Sequence, residues 1–88
     1  MKKLDLNYVV HFHDQTGKAD EIYETEAATA GELIDELELR YPGFKDMLIR
    51  DGRFRAQNAM ILSRKGVRAH GVFSTEHSVE DGDFITFL

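Results

Sequence analysis

Apolar residues stand at every second position near the start of this chain. Leu4, Leu6, Tyr8, Val10 and Phe12 alternate with Asp5, Asn7 and His11. A period of two belongs to a strand with one face on a core, and a helix cannot use it. The strand must therefore be paired and covered by whatever follows. Asp14-Gln15-Thr16-Gly17 supplies turn chemistry, and Ala19 to Thr25 reads as a more polar returning strand with Ile22 and Ala19 inward. A hairpin is the expected opening. Thr29-Ala30-Gly31-Glu32 then has the form of a capping box, with Glu32 reaching back to the Thr29 amide. Leu33, Ile34, Leu37 and Tyr41 recur at helical spacing, and Glu32, Asp35 and Glu36 complement the dipole of the early turns. Arg40 followed by Pro42-Gly43 ends the helix.

After this helix the signals shorten. Phe44 and Met47-Leu48-Ile49 suit a short turn over the core edge, Asp51-Gly52 a tight turn, and Arg53 to Gln57 a loop. Met60-Ile61-Leu62 reads as a strand buried on both faces. Arg64-Lys65-Gly66 turns the chain into a brief pairing over Val67 to Ala69, with Val79 as a plug in the loop beyond. Glu80-Asp81-Gly82-Asp83 is a turn, and Phe84 to Leu88 a closing strand. Two strands, a helix and three more strands predict one α+β domain over residues 1–88, a mixed sheet of four to five strands on one main helix. The expected core is Leu4, Leu6, Tyr8, Val10, Leu33, Leu37, Ile61 and Phe84.

Composition narrows the function. The chain has no cysteine, which removes disulfide scaffolds, thiol nucleophiles and iron–sulfur clusters. A net charge of −5 argues against nonspecific nucleic-acid binding. No apolar run reaches the roughly 18 residues of a membrane span, so a cytoplasmic protein is expected. The charges are segregated: eight acidic and no basic residues lie between Asp20 and Glu38, and seven basic against two acidic between Lys45 and Arg68. Such segregation suits the steering of a protein partner. Candidate contacts to that partner are Arg53, Arg55, Arg64 and Arg68, together with Ile85, Phe87 and Leu88, because one face of the last strand must turn apolar groups outward.

Catalytic and cofactor readings find no support in the pattern. His11 and His13 would share a strand face and could join His70 or His77 on a metal, but no Cys, Asp or Glu completes a ligand set, so structural histidines and no metal are expected. Asp35 and Glu36 are adjacent on the helix and cannot work as a facing pair, so a solvated acidic face is expected. Ser63, Ser74 and Ser78 lack the turn that exposes a nucleophile, and Gly66 and Gly71 lack the helix that completes a phosphate loop. No cofactor is expected.

The stretch from Glu24 to Leu33, then Leu37 and Tyr41-Pro42-Gly43, resembles the MoaD/ThiS family of ubiquitin-like sulfur carriers. The closing Ser78-Val79-Glu80-Asp81-Gly82-Asp83-Phe84-Ile85-Thr86-Phe87 resembles that family's end, an Asp-Gly-Asp turn entering a final strand. The length and the extended stretch after the helix look more like the small subunits of molybdopterin synthase than the shorter thiamine-pathway members. The resemblance implies a β-grasp fold and a non-catalytic carrier or accessory subunit in cofactor biosynthesis of the molybdopterin or thiamine type. Its implied partners are an adenylating, E1-like enzyme and an acceptor such as the molybdopterin synthase large subunit. In the family, a flexible tail ends in Gly-Gly, whose carboxylate is adenylated and converted to a thiocarboxylate. Glycines, without Cβ atoms, let such a tail thread a narrow channel. The 88 residues contain no Gly-Gly pair, so no residue is assigned the carrier glycine. The expectation is that the chain ending at Leu88 does not itself form a thiocarboxylate. A tail-less ubiquitin-like interaction module without sulfur chemistry is the alternative reading.

Overall fold

A computed structural model describes Met1–Leu88. Strand β1 (Lys2–Tyr8) is followed by α1 (His11–Thr16), β2 (Asp20–Thr25), the main helix α2 (Ala30–Arg40) and the short α3 (Phe44–Leu48). A small hairpin, β3 (Ile49–Arg50) and β4 (Arg53–Phe54), precedes β5 (Met60–Arg64), β6 (Val67–Gly71) and β7 (Phe84–Phe87). The main sheet runs β2-β1-β7-β5-β6. Strand β7 enters its centre, parallel to β1 and antiparallel to β5. The outer pairs β1–β2 and β5–β6 are antiparallel. This is the β-grasp arrangement of ubiquitin-like proteins, a mixed sheet with helices against one face.

The alternation of the first strand sets the inner face through Leu4, Leu6 and Tyr8, each at most 2% exposed. The expected strand continues too far, however. Val10 turns the backbone at φ 55°, uncommon for a β-branched residue, and its side chain lies outside the core. Phe12 is buried all the same, carried inward by α1 rather than by a strand. Its ring packs 5.2 Å from Phe44 and 5.7 Å from Phe87. Strand β2 is also shifted by one position from expectation: Tyr23 and Thr25 face inward, while Ile22 and Ala19 are exposed. A one-residue change of register exchanges the two faces of a strand.

Helix α2 follows its sequence signals closely. The Thr29 hydroxyl accepts from the Glu32 amide at 3.3 Å. Glu32 reaches back one residue further than expected, to the Ala28 N–H at 2.7 Å. Leu33, Ile34 and Leu37 are fully buried against the sheet. Gly43 then turns the chain at φ 98°, and α3 buries Phe44 and Leu48. Val79 is buried as a plug. Met60 and Leu62 point inward while Ile61 is half-buried, so β5 has one core face and not two. Likewise Ile85 and Phe87 are core and Phe84 is 45% exposed, which removes Val10, Ile61 and Phe84 from the expected core.

Candidate functional site

The outer face of the sheet carries no helix, and its residues follow from the strand registers. Asp5, Phe84 and Ser63 lie side by side across β1, β7 and β5. One step along, Asn7, Thr86, Ile61 and Gly71 form a second row across β1, β7, β5 and β6. Gly71 leaves a gap beside Ile61, and Phe73 fills it. A Cβ added at Gly71 would meet the Phe73 ring at 2.7 Å. The Phe73 ring therefore lies on the outer face, 83% exposed. Phe84, Ile61 and Phe73 make an apolar strip across the centre of the open face. Leu88, on the same side by the alternation of β7, extends it along the strand direction and is 46% exposed. The Leu88 backbone exchanges both hydrogen bonds with Ala59, at 3.0 and 2.6 Å. Contiguous exposed apolar surface of this kind marks protein interaction sites.

The residues expected to meet a partner fall in different surroundings. Ile85 and Phe87 are 0% exposed and belong to the core, so they offer no outer surface. Arg64 is spent on a clamp: its Nε and Nη2 donate to the two carboxylate oxygens of Asp83, both at 2.8 Å. Its Nη1 lies 3.0 Å from Glu80. Burial of Asp83 favours its neutral form, but the Arg64 hydrogen bonds and the Glu80 N–H outweigh this and hold the carboxyl below its usual range. Arg55 donates to the Asp46 carbonyl at 2.8 Å and is partly buried. Arg53 sits exposed on the β3–β4 hairpin, and Arg68 sits exposed on the edge strand β6. Of the seven residues, Leu88 extends the apolar strip, and Arg53 lines a groove together with Phe73.

The acidic run is also largely engaged within the fold. Glu21 accepts from the hydroxyls of Tyr8 at 2.6 Å and Tyr41 at 2.7 Å, with Lys18 at 3.2 Å. Burial raises the Tyr8 hydroxyl well beyond the tyrosine range, and the hydrogen bond and charge of Glu21 raise it further. Glu36 accepts from Tyr23 at 3.0 Å and Thr25 at 2.7 Å, which ties β2 to α2. Glu38 accepts the Gly43 and Lys45 amides at the start of α3. The expected solvated acidic face is thus partly an internal set of acceptors. A cleft lined by Gly31, Asp35, Glu38, Lys45, Asp46 and Asp51 is similarly committed. Asp35 pairs with Lys45 at 2.7 Å and Asp46 with Arg50 at 2.7 Å. His11 and His13 lie on α1 rather than on a strand face.

Sequence reasoning assigned Phe84 and Ile61 to the core and passed over Phe73. One signal was available for Phe84. Thr86 is the polar residue of Phe84-Ile85-Thr86-Phe87-Leu88, and outward Thr86 requires outward Phe84 and Leu88. For Phe73 there was none, since its position depends on the gap over Gly71.

No known family profile matches the sequence, and no curated protein matches it either. Solved structures do match. The Amycolatopsis orientalis CysO of the BexX/CysO complex structure superimposes with a TM-score of 0.77 at 24% identity, over 97% of this chain and 92% of that one. The solution structure of the Haloferax volcanii HVO 2177 protein gives 0.76 at 20% identity, over 98% and 80% of the two chains. A Pyrococcus furiosus protein described as a putative molybdopterin converting factor, subunit 1, gives 0.71 at 23% identity, over 99% and 95%. At these identities the likeness is one of fold.

Proposed function

We propose that this chain is a ubiquitin-like sulfur carrier or accessory subunit of the MoaD/ThiS kind. It is non-catalytic and cytoplasmic, and it docks on larger enzymes through the open face of its sheet. The observation that carries the reading is the apolar strip of Phe84, Ile61 and Phe73, ending at Leu88, on the open face of the sheet. The likeness to a putative molybdopterin converting factor subunit, and to a protein solved in complex with a partner, supports it. The partners are an adenylating enzyme of the E1 type and an acceptor such as a molybdopterin synthase large subunit, the pathway being of the molybdopterin or thiamine type. The strip supplies a desolvated centre for such an interface, and free Arg53, Lys65 and Arg68 supply charge outside it.

The test measures association with a purified adenylating enzyme. Phe84→Asp and Ile61→Asp should each weaken binding at least tenfold, while Leu39→Asp, an exposed apolar residue on α2, leaves it unchanged. Equal binding by all three variants would remove the sheet face from the proposal. Sulfur chemistry is read separately by intact mass after incubation with the enzyme, ATP and a sulfur donor. The chain extended by a tail ending Gly-Gly should gain the mass of one oxygen-to-sulfur exchange, and the chain ending at Leu88 should not. If the extended chain binds and stays unchanged in mass, the interaction-module reading replaces the carrier.

A further inference from the structure

His70 and His77 meet on the inner side of the sheet edge, away from the apolar strip. His70 is paired with Leu62 across β5 and β6, and so faces inward, while its strand is the sheet's free edge. His77 lies in the long connection to β7, and the first turn of α2 fixes its backbone. Ala30 N–H donates to the His77 carbonyl and Gly31 N–H to the Thr75 carbonyl, both at 2.8 Å, and Val79 N–H donates to Ala28 at 3.0 Å. The two Nε2 atoms are 3.0 Å apart. Each Nδ1 faces a carbonyl oxygen: His70 that of Arg68 at 3.1 Å, His77 that of Ser78 at 2.8 Å.

A carbonyl oxygen only accepts, so the tautomer these contacts favour carries the hydrogen on each Nδ1. Neutral imidazoles with Nδ1–H have bare lone pairs at Nε2, and here two such lone pairs point at one another. Set so, the two lone pairs repel, and a shared proton or a metal ion between them relieves the repulsion. Donation of Nδ1–H to a backbone carbonyl is also how metal-binding histidines are oriented, with Nε2 left to the ion. With metal–nitrogen bonds of about 2.0–2.1 Å, two imidazoles on one tetrahedral ion stand with Nε2 atoms about 3.3 Å apart and ring centroids about 5.2 Å apart. The pair has 3.0 and 5.1 Å, close to those spacings, but the rings aim nearly head-on, so an ion would need both rings to tilt until their lone pairs converge on it.

We propose that His70 and His77 form a two-imidazole site for a borderline divalent transition-metal ion: Zn(II), Ni(II) or Cu(II). No group of three or more His, Asp or Glu side chains converges anywhere in the chain. The remaining coordination positions are therefore open to water or to a donor from another molecule, and the ion is exchangeable. Nitrogen donors select these ions over Mg(II) and Ca(II), and Cu(II) should bind most tightly. Bound metal would clasp edge strand β6 to the loop that caps α2. This inference is independent of the docking reading.

Zn(II) titration of the untagged chain tests it, followed by calorimetry and by nitrogen NMR of the histidine rings. The expected result is one saturable site, shifts confined to the His70 and His77 rings, and a Tm that rises with Zn(II) but not with Mg(II). His70→Ala and His77→Ala should each lower affinity at least tenfold, while the double variant His11→Ala/His13→Ala binds as the parent does. His70→Gln, on the edge strand, serves if His77→Ala unfolds. Absence of saturable binding would overturn the proposal, as would equal affinity in His70→Ala. So would a pair that takes up a shared proton on acidification yet ignores all three metals.

Discussion

Removing the guanidinium of Arg64 tests how the centre of the sheet is secured. Asp83 is 0% exposed, and its carboxylate accepts two hydrogen bonds from Arg64 and one from the Glu80 N–H, each at 2.8 Å. Arg64→Met keeps most of the aliphatic stem but leaves a buried carboxylate with one donor. Breaking a buried pair from one side costs about 3–5 kcal/mol. The Arg64 side chain is 23% exposed, so water can reach part of the vacated space and the lower figure, about 3 kcal/mol, is expected. Against a total of about 5–15 kcal/mol this is a large loss. With an m-value near 1 kcal/mol per molar, the urea midpoint should fall by roughly 3 M. The pH dependence separates this cause from simple loss of packing. In the parent, the Asp83 carboxyl is held below its unfolded value, so its contribution is present above about pH 4 and is lost as pH falls through the folded value. In Arg64→Met, burial dominates and raises the carboxyl, so stability is recovered as the solution is made mildly acidic. Arg64→Met/Asp83→Leu should regain most of the loss at neutral pH, because it removes both charges. Urea melts from mild acid to neutrality give the answer. A loss under about 1 kcal/mol, or one that does not change with pH, would refute the reasoning.

Three further outcomes are expected. Leu37→Ala, at a fully buried position under the sheet, should cost about 2–5 kcal/mol by thermal or urea unfolding. In an alkaline absorbance titration Tyr8 should stay protonated while the chain is folded and Tyr23 should ionise only near its raised value of about 12; stability is full below about pH 10 and is lost as the pH rises through the folded values. Gly71→Val should change stability by less than about 1 kcal/mol, since it displaces only the far end of the Phe73 side chain, yet it should weaken docking by removing that ring from the strip.

The sequence rules that worked were those whose cause is local. The α2 cap and its apolar stripe depend on neighbours three and four residues away, and Thr29, Leu33 and Leu37 behave as their spacing requires. The Glu80-Asp81-Gly82-Asp83 turn is equally local, with Gly82 at φ 86°. Alternation alone misled. In β1 it continued past Tyr8 because Val10 and Phe12 kept the period, although Phe12 reaches the core from a helix. In β5 and β7, runs of apolar residues left the face undetermined. Pairing decides it, and β7 pairs with β1 and β5, distant in sequence. The elements missed, α1, α3 and the β3–β4 hairpin, are all six residues or shorter, too brief for a periodic signal.

The candidate site was less legible than the fold because charge in the sequence does not reveal its use. Four of the seven basic residues from Lys45 to Arg68, namely Lys45, Arg50, Arg55 and Arg64, lie against carboxylates of this same chain. A paired charge contributes to the distant field mainly as a dipole, so the basic run steers a partner less than its count suggests. The carboxylates of Glu21, Glu36 and Glu38 keep their charge but are tied to tyrosine, threonine and backbone donors of the same chain. On the open face the exposed apolar groups are Phe84, Phe73 and Leu88, with half-buried Ile61 between strands. Single exposed apolar residues are ordinary, but these share a face because registers across three strands and one glycine bring them together. A fold that pairs four of its seven clustered basic residues internally and leaves a joined apolar strip outside is suited to recognition by desolvation, with the free Arg53, Lys65 and Arg68 left to adjust the rim.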